Sequence, residues 1–388
     1  MNGRLAIVLA GIATLASFSV SAADENFDVY VFADAKYDDN VFRVANAAEA
    51  FAQNGSTTRD DISTTFGVGA KAKIPVSRQQ FNFDAELRRT IFNRFSQLSN
   101  NNGEFKGEWG WAYASRVSGT LGYEYERDLT DFFELQSAIR DTTINQNFFG
   151  SVKFPIRPRW TLVIGGDVGA VSFDARPFLD RDQTSVFGEV LFQTRAKTFV
   201  GLRLRESDAE FDSNLAVNND FSETEVSAVF RYEASDKSRL SVSLGRTDRD
   251  AEDPLSGDFS GATGRVEYRR VVSGKTAVTV ALFRQASLVD EIASLVVTDG
   301  ISIRPVWEIS SRLRFNGNIS YEERDFGGAG FAVSERADDL LGLSAGFSYK
   351  LNRAFTFNVG LRNRSRGSSN DGSEFDQTEF TAGVRFNI

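Results

Sequence analysis

The stretch Phe81-Asn-Phe-Asp-Ala-Glu-Leu-Arg88 decides the fold. Its odd-numbered residues are apolar, and its even-numbered residues are polar or charged. A β-strand points successive side chains to opposite faces and produces this period of two, whereas a helix has a period of about 3.6. The charges exclude lipid from one face only. A strand of a transmembrane β-barrel, with water on one side and lipid on the other, meets this condition.

Residues 1–23 are expected to form a cleaved signal peptide. Arg4 supplies a positive charge, residues 5–20 are apolar without an acid, and Ser21-Ala22-Ala23 offers small residues for cleavage after Ala22 or Ala23. The alternative is an N-terminal membrane anchor, for which the apolar run is short. The sequence has no Cys, which excludes a lipoprotein anchor. A signal peptide places the mature chain, residues 24–388, beyond the inner membrane.

Alternating runs recur through the mature chain without a break, so we predict a single domain. The count is eighteen, an even number, as in bacterial single-chain barrels. The predicted strands are 27–37, 61–74, 79–91, 104–113, 117–127, 142–154, 160–173, 182–193, 198–211, 221–234, 239–248, 260–272, 276–287, 293–306, 312–325, 338–351, 354–366 and 376–388. The fold class predicted is all-β, a transmembrane antiparallel up-and-down barrel of about eighteen strands.

Short turns and long loops alternate between these runs, which puts both ends of the barrel sequence on the short-turn, periplasmic side. Lipid offers no hydrogen bonds to a free sheet edge, so the first strand must pair with the last. The final run is amphipathic and resembles the signal that the barrel-assembly machinery reads. Its last residue, Ile388, replaces the usual terminal aromatic, and Phe386 stands two residues earlier.

Composition excludes several classes of function. The sequence has no His and no Cys, so Ser-His-Asp and Cys-His catalysis and the common zinc sites are impossible. Glu124 and Glu126 lie on one strand face, where paired charges more often line water than cleave glycosides. The net charge of -9 argues against nucleic acid as a partner. We therefore expect no enzyme, no metal and no cofactor.

The polar faces of the strands predict the side chains that line the lumen. The basic candidates are Lys71, Arg88, Arg203, Arg205, Arg265, Arg269, Arg314, Arg362, Arg364 and Arg385, and the acidic candidates are Asp84, Glu86, Glu124, Glu126, Asp167, Glu225, Glu267 and Glu379. A barrel of this size holds an aqueous channel, and charges on its wall set solute selectivity. The same charges could instead form cross-strand ion pairs that stiffen the wall. The two interpretations are compatible. A third possibility is a loop that plugs the lumen, with residues 38–60 as the longest candidate.

The two rims differ in charge. The outer loops are rich in Asp, and the periplasmic turns carry Arg78, Arg116, Arg157, Arg159, Arg195, Lys197, Lys237, Arg239, Lys275, Arg312 and Arg353. A basic entrance would concentrate an anionic polymer in the periplasm, which suggests export of an acidic polysaccharide. The alternatives are plain solvation of the loops, or acids that hold divalent cations bridging to lipopolysaccharide.

The segment Tyr37-Asp38-Asp39-Asn40-Val41-Phe42-Arg43 follows the first strand. Together with Gln80-Phe-Asn-Phe-Asp-Ala-Glu-Leu87, Trp109-Gly-Trp111 and Pro158-Arg-Trp160, it resembles the outer-membrane β-barrel family found in exopolysaccharide biosynthesis operons. The resemblance implies a role in secreting extracellular polysaccharide together with periplasmic or inner-membrane export components, and it supplies no catalytic residues. Read locally, Asp38-Asp39-Asn40 is also a turn at the start of a loop.

The first functional hypothesis is therefore an outer-membrane channel that takes part in exopolysaccharide export. The alternatives are a general or sugar diffusion porin and a non-conducting structural or adhesive barrel. Few aromatics are predicted to face the lumen, among them Tyr30, Phe32, Phe149, Phe187 and Phe199, which counts mildly against a sugar porin. The expected partners are outer-membrane lipid and lipopolysaccharide, and a polysaccharide or small solute in the lumen.

Overall fold

The computed structural model describes residues 26–114, 116–133, 135, 138–195, 197–212, 218–253, 256–289, 294–327, 336–370 and 372–388. The predicted signal peptide, residues 1–23, lies outside the described residues, so it stays a prediction. Nearly all of the described chain is β-strand. No helix within the described residues is long and apolar enough to cross a membrane.

Eighteen strands follow one another along the chain. They are β1 (Phe27–Asp38), β2 (Asp61–Val76), β3 (Gln79–Phe92), β4 (Asn100–Tyr113), β5 (Val117–Leu129), β6 (Thr142–Arg157), β7 (Trp160–Phe173), β8 (Arg181–Arg195), β9 (Thr198–Phe211), β10 (Phe221–Ser235), β11 (Ser238–Ala251), β12 (Phe259–Ser273), β13 (Thr276–Val289), β14 (Ser294–Glu308), β15 (Leu313–Gly327), β16 (Ala337–Lys350), β17 (Phe355–Ser368) and β18 (Phe375–Asn387). Single turns of 3-10 helix occupy Ser96–Leu98 and Pro177–Leu179.

The strands form one closed antiparallel ring. Each strand pairs with its sequence neighbours, and β1 also pairs with β18, from Tyr30↔Asn387 to Asp38↔Glu379. Closure gives every strand two hydrogen-bonded neighbours, which lipid demands because it offers the backbone no partner. The predicted eighteen-stranded barrel is confirmed.

The outer surface of the ring carries the apolar face of each strand. On β3, Leu87 is 67% exposed to the surroundings of the isolated chain, and Phe83 and Ile91 on the same face are also exposed. A water-soluble protein rarely leaves so continuous an apolar surface uncovered. The surface is therefore the lipid-facing wall, and the opposite face lines the lumen.

Aromatic side chains flank the apolar band at both ends. Trp109, Trp160 and Trp307 are exposed on the outer surface beside the short turns, and Trp109 stacks against Phe81. Tyr321 is exposed toward the long-loop end. Amphipathic rings at both lipid–water interfaces are typical of spanning barrels.

β4 begins at Asn100, four residues before the predicted start at residue 104. The run of three Asn residues and a Gly has low strand propensity, so the sequence alone predicts a loop there. The Asn102 side chain donates to the Asp128 carboxylate at 2.6 Å, and Asn100 donates to the Leu98 carbonyl at 2.8 Å. These side-chain bonds extend the ladder where propensity alone would end it.

The loop after β1 contains the one α-helix of the described residues, α1 (Ala47–Asn54), which the sequence did not predict. The Asn46 side chain accepts hydrogen bonds from the backbone N–H groups of Ala48 and Glu49 and caps the helix start. Gly55 ends it with φ +74°, a left-handed conformation that costs glycine little. The first loop is therefore a folded element.

Candidate functional site: the lumen and its constriction

Strand register puts all the candidate lumen residues on the polar face of the ring. Several are brought into ion pairs: Lys71 with Asp84, Arg88 with Glu86, Arg203 with Glu189, Arg205 with Asp167, Arg265 with Glu267, Arg314 with Glu308, Arg362 and Arg364 with Glu379, and Arg385 with Asp28. Glu124 pairs with Lys106. Arg269, Glu126 and Glu225 have no ion-pair partner within the described residues. The candidates are thus distributed over the whole wall and form no single cluster.

Arg88 is the centre of a network on β3–β5. Its guanidinium lies 2.6 Å from the Asp128 carboxylate, 3.2 Å from that of Glu86 and 3.7 Å from that of Glu104. The Tyr30 hydroxyl donates to Glu86 at 2.8 Å. One cation is thus shared by three carboxylates of adjacent strands, and this part of the wall keeps an acidic excess.

Glu189 on β8 was missed by the sequence analysis. Its side chain is almost fully buried, and its oxygens lie 2.7 Å from Arg203 and 2.8 Å from Arg231. Glu189 follows Ser185 and Phe187 at intervals of two residues, so the strand period could have placed it on the same lumen face. Two arginines on one buried carboxylate carry a net positive charge on the wall between β8 and β10.

Aromatic rings in the lumen lie flat across glycines of the neighbouring strand. A Cβ on Gly69 would come within 2.2 Å of the Tyr30 ring, so only glycine admits the ring there. The Arg385 guanidinium carbon lies 3.5 Å from the Tyr30 centroid. The same grouping recurs as Phe187, Gly165 and Arg203, and as Phe283, Gly300 and Arg265. Each ring holds a guanidinium in place by a cation–π contact.

The two halves of the wall differ in charge. The lumen face of β3–β5 carries Asp84, Glu86, Glu104, Glu108, Glu124, Glu126 and Asp128, with Arg88 and Lys106 as its cations. The lumen face of β12–β17 carries Arg265, Arg269, Arg304, Arg314, Arg324, Lys350, Arg362, Arg364 and Arg366, with Glu267, Glu308, Glu322 and Asp338 as its acids. β4 and β13 are nine strands apart in either direction around the ring of eighteen. The carboxylate-rich wall therefore faces the β12–β14 part of the arginine-rich wall across the lumen.

A segment of the β5–β6 loop crosses the lumen between these walls. Asp131 lies 3.0 Å from Arg43 and 3.6 Å from Arg364 of β17. Arg366 of β17 donates to the Phe133 carbonyl at 2.7 Å. The Phe133 ring also contacts Arg324 of β15, 5.1 Å from its centroid. Residues 130–133 start from β5 and reach strands far around the ring, so they form the constriction segment of the channel.

The constriction segment is supported by a small core made from three outer loops. Phe42 of the first loop is 1% exposed, and its ring meets those of Phe95 and Phe132 edge to face, at 4.7 and 5.0 Å between centroids. Leu98 and Leu135 complete the contact. Sequence analysis named residues 38–60 as the candidate plug. In the structure this loop supports the crossing, and residues 130–133 make the contact with the far wall.

The segment Tyr37–Arg43, singled out in the sequence by its resemblance, joins the first strand to the last. The Asp38 carboxylate accepts from Gln377 Nε2 at 2.8 Å, and Asp39 Oδ1 accepts from the Thr378 backbone N–H at 2.7 Å. Asn40 Nδ2 donates to the carbonyls of Val44 and Asp376, both at 2.8 Å. The segment therefore fastens the β1–β18 seam of the barrel.

Arg43 links this seam to the constriction. It lies in the loop with φ +53°, and its side chain is almost fully buried. Burial lowers the pKa of the Arg43 guanidinium, and the Asp131 carboxylate acts in the opposite direction. A buried charge of this kind is stable only while its partner is in place.

A cavity of about 560 Å³ lies beside the constriction segment. Its charged lining comes from both the wall and the loops: Asp34, Lys36, Asp38, Arg43, Glu86, Arg88, Asp128 and Asp131. Such a mixture can orient a small solute that carries charge. Within the described residues, no group of three or more acids is arranged to hold a metal ion.

Comparison with known proteins agrees with this architecture. Residues 170–388 match the family described as "Putative beta-barrel porin 2". No curated protein sequence matches the chain. Among solved structures, the chain is similar to Pseudomonas aeruginosa OpdK with vanillate, at a TM-score of 0.50, 13% identity and coverage of 94% of this chain and 99% of that one. It is also similar to P. aeruginosa OccK9 (OpdG), at a TM-score of 0.51, 11% identity and the same coverage.

These structures share the fold of the chain at low identity. The family match covers more than half of the sequence, and a closed barrel with a lipid-facing outer wall accompanies it. The chain is therefore an outer-membrane β-barrel of Gram-negative type, and it belongs to the putative beta-barrel porin 2 family.

Proposed function

We propose that this protein is a diffusion channel for small anionic solutes, with small carboxylates as the expected cargo. The observation that carries the proposal is the arginine-rich wall of β12–β17, to which the constriction segment is anchored. A solute that passes the segment must pass beside Arg324, Arg364 and Arg366. Charges of one sign beside a narrow passage favour solutes of the opposite sign.

The opposite wall supports a selective channel more than an open one. A carboxylate-rich surface facing an arginine-rich surface orients a solute that has one charged end. The cavity beside the constriction, at about 560 Å³, has the size of a site for a small molecule. Vanillate, which accompanies the similar OpdK structure, is a small carboxylate.

Exopolysaccharide export, the first hypothesis from the sequence, gains less support. It rests on the resemblance of the Tyr37–Arg43 segment, whose side chains fasten the seam and the loop core. The family and the similar structures are porins, which favours the alternative of a diffusion channel. A segment lying across the lumen also opposes passage of a polymer chain.

Ion selectivity in planar bilayers tests the proposal. With KCl at different concentrations on the two sides, the reversal potential of the purified protein should show a preference for chloride. Liposomes containing the protein should swell faster in small monocarboxylates than in neutral sugars of similar size. A cation-selective or unselective pore would refute the proposal. If deletion of the gene abolished polymer secretion and left carboxylate uptake unchanged, the export hypothesis would be favoured instead.

Variants locate the selectivity on the wall. Arg265→Gln, Arg304→Gln and Arg362→Gln together should reduce the preference for chloride, because they remove three lumen charges. A matched control removes three cations of the outer end that do not face the lumen: Arg89→Gln, Arg94→Gln and Arg127→Gln. The control should keep the selectivity of the original protein.

A further inference from the structure

The periplasmic turns form a basic rim around one end of the lumen. All eight turns carry at least one exposed cation, and the rim consists of Arg78, Arg116, Arg157, Arg159, Arg195, Lys197, Lys237, Arg239, Lys275, Arg312 and Arg353. Among the described residues, only two of these have an ion-pair partner: Lys197 has Asp236 and Arg239 has Glu233. The rim therefore holds positive charge that the protein leaves uncompensated.

Three more unpaired cations face the lumen directly inside the rim. Lys73 on β2, Lys153 on β6 and Arg269 on β12 are exposed to the lumen and have no carboxylate partner within the described residues. Their cross-strand neighbours are neutral or basic: Asn82 lies opposite Lys73, and Thr279 opposite Arg269. The three strands are spread around the ring, so the positive charge surrounds the opening.

Deeper in the lumen the cations have carboxylate partners, which some of them share. Lys71 pairs with Asp84, Arg88 with three acids, and Arg265 and Arg304 share Glu267. The cations that face the lumen without any carboxylate partner are thus concentrated at the periplasmic end.

The outer end has the opposite character. The β7–β8 loop brings Asp180 close to the carboxylates of neighbouring loops. Burial raises the pKa of Asp180. The hydrogen bond from the Phe173 backbone N–H lowers this pKa, and the carboxylates of Asp212, Asp141 and Asp174 raise it. Acids of this end that have no ion-pair partner within the described residues include Asp182, Asp212, Asp220, Asp250, Glu252 and Asp258. Unpaired charge is therefore separated along the barrel axis, positive at the periplasm and negative outside.

We propose that the periplasmic rim and the three cations inside it form an anion-collecting vestibule, separate from the constriction, which makes conduction depend on direction. The inference rests on the proposed conduction of anions. A fixed positive charge concentrates anions at the periplasmic mouth, whereas anions arriving from outside first meet the acidic loops. When the outer side is positive, anions are drawn from the enriched mouth through the pore. When the potential is reversed, they must come through the acidic end.

Salt screening should make the direction dependence of the current weaker as the salt concentration rises. Fixed charge acts on ions over about one Debye length, roughly 10 Å at 0.1 M salt and roughly 3 Å at 1 M. At 0.1 M the vestibule field spans much of the lumen, and at 1 M it stays near the wall. Direction-dependent current should therefore be present at low salt and fade at high salt.

The test is the current–voltage curve of the full protein in bilayers of neutral phosphatidylcholine. At 0.1 M KCl the current with the outer side positive should exceed the current at the reversed potential, and in 1 M KCl the ratio should approach one. The sequence has no Cys, so Gly274→Cys in a periplasmic turn gives a single thiol. A membrane-impermeant anionic thiol reagent that changes the current from one side only identifies the periplasmic side.

Variants decide whether the vestibule is the cause. Lys73→Gln, Lys153→Gln and Arg269→Gln together should lower the current ratio toward one. Arg89→Gln, Arg94→Gln and Arg127→Gln remove the same charge from the outer end and should not lower it. Heat-modifiable migration on gels verifies that each variant is a folded barrel.

Two results would overturn the inference. One is a current ratio of one in the original protein at 0.1 M KCl, and the other is an unchanged ratio in the vestibule variant. In either case a chloride preference in the reversal potential would still support the proposed function. A cation-selective reversal potential would instead refute the function itself, so the two failures are distinguishable.

Discussion

Phe42 shows how a single buried loop residue can position its neighbours. Its side chain is buried at the outer mouth, between rings contributed by two other loops. Its neighbour Arg43 carries the charge that meets Asp131. Burial of the ring therefore sets the position of the guanidinium, and the guanidinium sets the position of the constriction segment.

Phe42→Ala should destabilise the loop core by about 3–5 kcal/mol, the usual cost of deleting a buried aromatic side chain. Hydrogen exchange should become faster in residues 41–54 and 95–98, with the strands unaffected. Phe51→Ala is the control, because Phe51 lies on the same loop and is 59% exposed. Equal exchange in the two variants would show that the loops have no common core.

At this scale the sequence predicted less than the structure contains. It marked Asp38-Asp39-Asn40 as a turn, and local hydrogen bonds of that kind are present, as between Asp38 and the Asn40 backbone. The partners on β18 lie more than three hundred residues away along the chain, and no local pattern specifies them. The charged lumen positions follow strand parity, but which acid meets which base depends on register.

The constriction segment is an element without regular secondary structure. Three contacts attach it to the far wall: the ion pair of Asp131 with Arg364, the hydrogen bond from the Arg366 guanidinium to the Phe133 carbonyl, and the packing of the Phe133 ring against arginines. Each contact ends on the arginine-rich wall. In the proposed channel, this segment narrows the lumen and places the solute path beside that wall.

Asp131→Asn combined with Phe133→Ala should release the segment and raise single-channel conductance. The pair of changes removes the charge that Arg43 and Arg364 share and the ring that the arginines surround. Ile139→Ala with Arg140→Gln alters exposed residues of the same loop and should leave conductance unchanged. A conductance that stays constant in both variants would mean that the segment does not restrict the pore.

Elements with a strict period of two were predictable, and irregular ones were not. The strand pattern held even at Ala114–Arg116, where only three residues separate two long runs. Helix α1 was not predicted because an eight-residue amphipathic run inside a loop gives a weak periodic signal. Its capping residues, Asn46 and Gly55, are the clearest sequence evidence for it. The position of residues 130–133 depends on contacts with β15 and β17, which lie far away in the sequence, so the loop sequence alone does not predict it.

The closed ring is a property of the whole molecule. Each strand is antiparallel to the next, and the pairing of β1 with β18 is the eighteenth junction of the ring. Unlike the others, this junction joins segments from the two ends of the barrel sequence. Side chains of Asp38, Asp39 and Asn40 add hydrogen bonds to its backbone ladder.

Asn40→Ala should lower the stability of the entire barrel. It leaves the Asp376 carbonyl and the Val44 backbone N–H without their partner, at a cost of about 1–3 kcal/mol for each buried group. The urea midpoint of unfolding from micelles measures the effect. Asn101→Ala, an exposed asparagine on β4 that accepts from Arg89, should change stability by about 0.5 kcal/mol at most.

The position of β18 in the ring has a consequence for biogenesis. Phe375–Asn387 is synthesised after every other strand, and it must fit between β17 and β1. Until it arrives, the sheet has two open edges that lipid cannot satisfy and that periplasmic proteases can attack. A chain interrupted before this strand therefore cannot close its ring in the membrane.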